Sequence, residues 1–120
     1  MWADLAIIVY VWNVIKMNIS LDFDDTYTRD PAFWNSFIVG ARGRGHHVYL
    51  VTARTPEQGQ EVLDTVGKIL GREYCFFTSM QGKKKYMWAQ KIRIDVWIDD
   101  MPEMIVSGID DTVNDGRIYL

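Results

Sequence analysis

Three carboxylates lie within four positions directly after an apolar stretch near the start of the chain. Asp22, Asp24 and Asp25 follow the segment NISL, which ends at Leu21. Like charges at this spacing repel one another, and a bound cation is the usual means by which proteins offset such repulsion. The pattern therefore indicates a site that binds a cation.

Further polar residues stand at the ends of later apolar segments. Thr52 ends the segment HVYLVT, and Asp99 and Asp100 follow the segment DVWI. Between these two segments, the lysines 83–85 begin a stretch with helical spacing. Carboxylates can hold Mg²⁺, which prefers oxygen ligands, and one of them can attack phosphorus. A second carboxylate can transfer protons, while a hydroxyl and an ammonium hold phosphate oxygens. This set of residues favours phosphoryl transfer.

The segments between these residues alternate between strand and helix patterns. Four helices are predicted. The first begins at Asp30-Pro31, the second runs from Thr55-Pro56 to Gly71, the third covers Lys83 to Lys91, and the fourth begins at Pro102. The predicted strands are Asn18–Leu21, His47–Val51, Tyr74–Thr78, Asp95–Ile98 and Arg117–Leu120. This order predicts an α/β fold, a three-layer Rossmann-like parallel sheet of about five strands flanked by helices. Ligands bind beyond the carboxyl ends of the strands in such sheets, where the polar residues above would meet.

Length and composition fit one globular domain. The chain has 120 residues, of which 48% are hydrophobic, and a formal net charge of −3, so its overall charge gives no strong signal for nucleic-acid binding. The lone cysteine, Cys75, cannot form an internal disulfide, which is compatible with the reducing cytoplasm. We therefore expect a cytoplasmic protein.

The first sixteen residues differ from the rest. Residues 5–12 are apolar, but this run is shorter than the roughly 20 residues that span a bilayer, so we expect no membrane association. Residues 1–16 are interpreted either as an added strand or helix that covers the core, or as sequence upstream of a natural start at Met17. In this division residues 17–120 form the core domain. An oligomer could form through the apolar N-terminal segment.

Four short motifs carry a resemblance to a known superfamily. The segments are LDFDDT, VYLVTAR, GKKKY and VWIDD, in that order along the chain. The chain resembles the haloacid dehalogenase-like (HAD) hydrolases, a superfamily of mostly Mg²⁺-dependent phosphatases, from about Met17 onward. Members of this superfamily usually carry a cap domain that selects the substrate. The short connections here imply a small member without a large cap.

The resemblance implies a role for each matching residue. Asp22 would be the nucleophile and a metal ligand, and Asp24 the general acid/base, which also reaches the metal through its backbone carbonyl. Thr52 and Lys83 would bind the substrate phosphate. The resemblance assigns Asp99 as the third Mg²⁺ ligand and Asp100 as its support.

Neighbouring residues leave several interpretations open. Asp25 and Thr26 are interpreted as shaping the turn after the first strand. Arg54 could contact substrate or be a solvated residue near a helix cap. Lys84 is the second choice for the phosphate-binding lysine, after Lys83.

The predicted function is a Mg²⁺-dependent phosphomonoester hydrolase that acts through an aspartyl-phosphate. Its substrate would be a small molecule or an exposed macromolecular phosphate. One alternative is a catalytically inactive phosphate-binding relative, although Asp22 and Asp24 are both present. Another is a receiver-like signalling domain, but its phosphorylated aspartate lies on the third strand, whereas the aspartate pair here follows the first.

Overall fold

The computed structural model describes residues 15–107, which form an α/β fold around an all-parallel sheet. The four strands are β1 (Asn18–Leu21), β2 (His47–Thr52), β3 (Cys75–Phe77) and β4 (Val96–Ile98). The apolar segment at residues 5–12 and the fifth predicted strand, Arg117–Leu120, lie outside the described residues. The α/β class and the parallel sheet flanked by helices are confirmed.

The strand order is β3-β2-β1-β4. Leu21 of β1 is in register with Leu50 of β2 on one side and with Ile98 of β4 on the other. The chain therefore moves outward from β1 to β3 and then returns to the opposite side of β1. Such a reversal opens a crevice at the carboxyl ends of the strands, where α/β proteins bind ligands. Asp22 and Asp99 each follow directly after one of the two strands at this reversal.

Five α-helices flank the sheet within residues 15–107. The longest, α1 (Pro31–Gly43), begins as predicted: the Asp30 side chain accepts a hydrogen bond from the backbone N–H of Phe33 at 3.2 Å, and Pro31 occupies the first turn. This cap satisfies a backbone donor that the helix leaves unpaired. The shorter helices are α2 (Gln60–Asp64), α3 (Val66–Leu70), α4 (Lys83–Ala89) and α5 (Glu103–Val106).

The prediction of one continuous helix from Thr55-Pro56 to Gly71 is wrong. The segment divides into a 3₁₀ turn (Pro56–Gln58), α2 and α3. The break falls at Thr65, whose hydroxyl donates to the carbonyl of Glu61 at 2.7 Å, and whose φ and ψ are −113° and −99°. A threonine hydroxyl that bonds back to the preceding turn competes with the helical backbone pattern. The apolar periodicity survives the break, since Val62 and Val66 are both fully buried.

Other boundaries shift by one or two residues. Tyr74, predicted in the third strand, ends a 3₁₀ turn (Arg72–Tyr74), so β3 begins at Cys75. The strand predicted from Asp95 begins at Val96, and the helix predicted to Lys91 ends at Ala89. Hydrogen-bonded pairing decides these ends, whereas sequence patterns locate them only approximately.

The core lies between the sheet and the helices that pack on β2. Leu21, Val48 and Leu50 of the central strands have no exposed surface, and Ile38 of α1 is also fully buried. Helices α1 and α3 both contact β2 and each other. Central parallel strands are typically apolar because both of their faces are covered.

The connections that surround the crevice are short. A 3₁₀ turn (Tyr27–Arg29) and α1 form the connection from β1 to β2, and residues 78–82 join β3 to α4. These connections agree with the expectation of a core without a large insertion in the described part of the chain. None of the helices within residues 15–107 has the length and apolar character needed to cross a membrane.

Candidate functional site

A buried ammonium lies between two carboxylates at the crevice. Lys83 Nζ is 2.8 Å from Asp22 Oδ1 and 2.5 Å from Asp99 Oδ2. The side chains are only 2% exposed for Lys83, 8% for Asp22 and 4% for Asp99. Three elements build this triad, because the aspartates follow β1 and β4 and the lysine begins α4. Charged groups this far from water are retained only when they are paired.

Burial governs the electrostatics of Asp22. Removal from water raises the pKa of this carboxyl to about 6, and the charge and hydrogen bond of Lys83 oppose the rise. The hydrogen bond with Asp100 and the negative charge of Asp99 also raise the pKa of Asp22. The site therefore holds more negative charge than one lysine neutralises, and a second cation would stabilise it.

Three carboxylates are close enough to share a metal ion. Oxygen atoms of Asp22, Asp99 and Asp100 all lie within 4.8 Å of one another. A set of carboxylate oxygens suits a hard divalent cation such as Mg²⁺, which commonly binds through few protein ligands and keeps several waters. The donor set and its excess negative charge both fit such an ion.

Thr26 connects two members of the carboxylate cluster. Its hydroxyl is within hydrogen-bond distance of Asp22 Oδ2, at 3.1 Å, and of Asp100 Oδ1, at 3.4 Å. The residue is 8% exposed. The sequence suggested only a role in the turn, but the structure shows that Thr26 contacts the second oxygen of Asp22. The four-residue spacing within LDFDDT was the one signal that could have indicated this contact.

Asp24 lies apart from the buried triad and pairs with Arg54. Arg54 donates from Nε to Asp24 Oδ2 at 3.0 Å and from Nη2 to Asp24 Oδ1 at 2.8 Å. These hydrogen bonds are the main reason that the pKa of Arg54 is raised further. The Asp24 side chain is 53% exposed, so this pair is in contact with solvent.

Several groups hold the Arg54 side chain in place. The guanidinium lies 5.0 Å from the centre of the Phe23 ring. It donates to the carbonyl of Gln58 at 3.0 Å and to Glu61 at 3.1 Å. Gln58 is itself fixed, since its side chain accepts from the backbone N–H of Thr55 at 2.9 Å. Arg54 therefore presents a fixed, two-pronged donor to Asp24.

Thr52 is fully buried at the end of β2 and lines the pocket. Its hydroxyl accepts a hydrogen bond from the backbone N–H of Arg54 at 3.3 Å. Its carbonyl accepts from the N–H of Thr78 at 2.9 Å, which ties the residue after β3 to the end of β2. The hydroxyl is thus held at the carboxyl edge of the sheet.

The pocket over these residues has a volume of about 190 Å³. Its floor contains Asp22, Thr52, Lys83 and Asp99, and its rim includes methionines from two loops and from α5. The methionines at this rim are Met80, Met101 and Met104. The exposed part of the lining also includes Asp24, Asp25 and Asp100, so the rim carries both carboxylates and methionines.

The loop before α4 has an unusual backbone. Ser79 and Met80 have φ values of 53° and 68°, in the left-handed region that side chains other than glycine disfavour by roughly 1 kcal/mol each. The N–H groups of Ser79 and Met80 donate to the carbonyls of Arg54 and Ala53 at 3.2 and 2.9 Å. These bonds maintain the conformation and place Met80 at the pocket.

The predicted site residues fall into two groups. The structure brings Asp22, Lys83, Asp99 and Asp100 together, and Thr52 lines the same pocket. It does not bring the Asp24 carboxylate into the cluster of three. The expected role of Asp24 as a metal ligand was through its backbone carbonyl, so that prediction stays a prediction.

Among the three adjacent lysines, burial separates Lys83 from the other two. Lys83 is 1% exposed, whereas Lys84 and Lys85 are exposed. Adjacent helical residues point about 100° apart, which is why one faces the site while the next faces solvent.

No protein family model, curated protein or solved structure gives a significant match to this chain. The functional assignment therefore depends on the residues and geometry of the site itself.

Proposed function

We propose that the protein is a Mg²⁺-dependent phosphomonoester hydrolase of the HAD-like type. The observation that carries the proposal is the buried contact of Lys83 with both Asp22 and Asp99 at the carboxyl edge of a parallel sheet. A buried ammonium between two carboxylates can offset charge on a nucleophile and on an attacked phosphoryl group. The four motifs that resemble this superfamily support the same assignment.

In this proposal a carboxylate oxygen of Asp22 attacks phosphorus while the ester P–O bond breaks. Asp24, which enters this step in its protonated form, gives its proton to the departing oxygen, so an alcohol leaves and an aspartyl-phosphate remains. A water molecule then loses a proton to Asp24 and attacks the phosphoryl group. Inorganic phosphate leaves and the Asp22 carboxylate is restored.

The remaining residues bind and orient. Lys83 and Thr52 hold the non-bridging phosphate oxygens, and Thr26 keeps Asp22 in one orientation through its second oxygen. Arg54 orients the Asp24 side chain before the reaction, and its hydrogen bonds to Asp24 have to open for the proton transfers. Asp22, Asp99 and Asp100 would hold Mg²⁺, which supplies positive charge that offsets the carboxylates and the phosphate.

A second candidate function uses the Asp22 nucleophile without the proton transfers of Asp24. Asp24 is engaged by Arg54 through both of its oxygens, and a carboxylate that stays so engaged would neither protonate a leaving group nor activate water. The protein would then form a stable phospho-aspartate and act as a phosphate-binding or phospho-acceptor domain. Acid-quench detection of the phosphoprotein distinguishes a short-lived intermediate from a stable product.

The nucleophile and the metal are tested by hydrolysis of an aryl phosphate with and without chelator. We expect Asp22→Asn to lower turnover by at least about 10³-fold, because the attacking oxygen is lost. Asp64→Asn, which changes an exposed aspartate on α2, is the matched control. Chelation should remove wild-type activity, and Mg²⁺ should raise the wild-type Tm, as a ligand of the folded state does. Full turnover in excess chelator would contradict the proposal.

A further inference from the structure

The rim of the pocket carries methionines in addition to exposed carboxylates. Met80 and Met101 are 46% and 47% exposed, although methionine side chains are usually buried. Met104 of α5 is a third methionine in the pocket lining. Three flexible thioethers at one opening form a surface on which an apolar group can pack, and sulfur makes favourable contacts with aromatic rings.

The charge of the pocket restricts what can approach this rim. Among residues 15–107, its lining contains five aspartates and one lysine. That lysine is already paired with two of the aspartates. Arg54 is not part of the lining and is engaged by Asp24 and Glu61. A second anionic group on a substrate would therefore meet carboxylates and no uncommitted cation in this lining.

The position of Met80 is specified by an otherwise disfavoured backbone. Ser79 and Met80 both adopt positive φ, and their N–H groups are tied to the loop that follows β2. Backbone conformations of this kind persist where the surrounding structure enforces them, and they cluster at functional sites. Glycine would adopt this conformation without strain, yet the chain has a large apolar side chain at the pocket.

We propose that Met80, Met101 and Met104 form the leaving-group subsite, and that the substrate is a phosphomonoester whose alcohol carries an uncharged aromatic ring. The inference rests on the proposed phosphatase function and adds its substrate class. The phosphate lies over Asp22 and Lys83, and the ring packs on the methionine rim. Polyphosphates and esters with a further carboxylate are disfavoured.

The experiment compares kcat/KM for benzyl phosphate, ethyl phosphate and carboxymethyl phosphate in the full chain with Mg²⁺. Benzyl alcohol and ethanol are leaving groups of similar acidity, so the ratio of benzyl to ethyl phosphate reports contact with the ring. We expect a ratio of about ten in the wild type, which is the scale of a sulfur–ring contact. Carboxymethyl phosphate should be hydrolysed less efficiently than ethyl phosphate.

Two variants identify the subsite. Met80→Gly should reduce the benzyl-to-ethyl ratio to about three or less without lowering the Tm, because glycine relieves the backbone strain. Ser79→Gly is the matched control, since it relieves the neighbouring strain but removes no pocket side chain, and its ratio should equal that of the wild type. Met101→Gln keeps the side-chain length and the backbone, and should reduce the ratio as Met80→Gly does.

The outcomes separate the two proposals. Hydrolysis of all three esters with a benzyl-to-ethyl ratio near one, or a ratio unchanged in both methionine variants, would overturn the subsite and leave the phosphatase assignment intact. Failure to hydrolyse any phosphate ester would overturn the proposed function and the subsite with it.

Discussion

The two charged clusters of the site use the same kinds of groups in different surroundings. In the Lys83 cluster, an ammonium pairs with Asp22 and Asp99, and each of the three side chains is at most 8% exposed. In the Arg54 cluster, a guanidinium pairs with Asp24 and Glu61, which are 53% and 60% exposed. A buried pair that loses one partner leaves a charge stranded, whereas an exposed pair is replaced by water.

The difference in burial implies different roles for the two clusters. The Lys83 cluster matters for stability. If Lys83 is lost, water cannot readily reach the buried carboxylates of Asp22 and Asp99 to replace it. The Arg54 cluster contributes little to stability, yet its guanidinium is fixed by the Phe23 ring and by the Gln58 carbonyl. A side chain that is held in one position but adds little to stability is expected where its orientation matters for function.

The largest combined effect on turnover and on stability is expected for the buried cluster. Lys83→Ala should lower turnover by about 10²–10³-fold, the cost of losing one preorganised donor. It should also lower the free energy of unfolding by about 3–5 kcal/mol, because Asp22 and Asp99 are left buried together. Single-turnover kinetics and denaturant unfolding measure the two effects, with Lys84→Ala as the control on an exposed neighbour. A large loss for Lys84→Ala and none for Lys83→Ala would reverse the assignment.

An intermediate effect is expected for the exposed carboxylate. Asp24→Asn removes the proposed proton donor, so hydrolysis of an alkyl phosphate should fall by about 10²–10⁴-fold, the contribution typical of general acid catalysis. Hydrolysis of an activated aryl phosphate should fall much less, because its leaving group needs no proton. Equal losses for the two esters would show that Asp24 does not act as the acid.

The smallest effect is expected at Arg54, and it sharpens the contrast between the clusters. Arg54→Ala should change the free energy of unfolding by less than about 1 kcal/mol, since the pair is exposed. It should lower kcat for alkyl phosphates by roughly tenfold through loss of the Asp24 orientation, the factor that corresponds to about 1.4 kcal/mol.

A conservative variant and a double variant check the Arg54 prediction. Arg54→Lys should recover little activity, because lysine cannot make the paired hydrogen bonds of a guanidinium. If Arg54 acts through Asp24, the Arg54→Ala change should have no further effect in the Asp24→Asn background. Additive losses in the double variant would mean that Arg54 acts separately.

Sequence alone was sufficient to predict the elements that carry the site. The apolar runs that end at Leu21 and Ile98, each followed by aspartates, predict strands and place carboxylates at their carboxyl ends. The Asp30-Pro31 cap predicts the start of α1. These features follow from local backbone preferences and from apolar periodicity, which depend on residues close in sequence.

Competition between the Thr65 hydroxyl and the helical backbone limited the prediction of the helix after Thr55. The apolar spacing of Val62 and Val66 is helical, but it contains no information about whether the Thr65 hydroxyl bonds to the backbone or to solvent. The structure shows the hydroxyl on the Glu61 carbonyl, with α2 and α3 on either side of it.

The pairing of charges was decided by the tertiary structure. The sequence placed Asp24 two residues after Asp22, and both were assigned to one active site. The fold buries Asp22 against Lys83, 61 positions later in the chain, and leaves Asp24 with Arg54 in contact with solvent. Which cation meets which carboxylate depends on strand order and on helix rotation, and neither is encoded in the spacing within a motif. The sequence therefore determined which groups reach the edge of the sheet, and only the packing of β1, β4 and α4 decided which of them are removed from water.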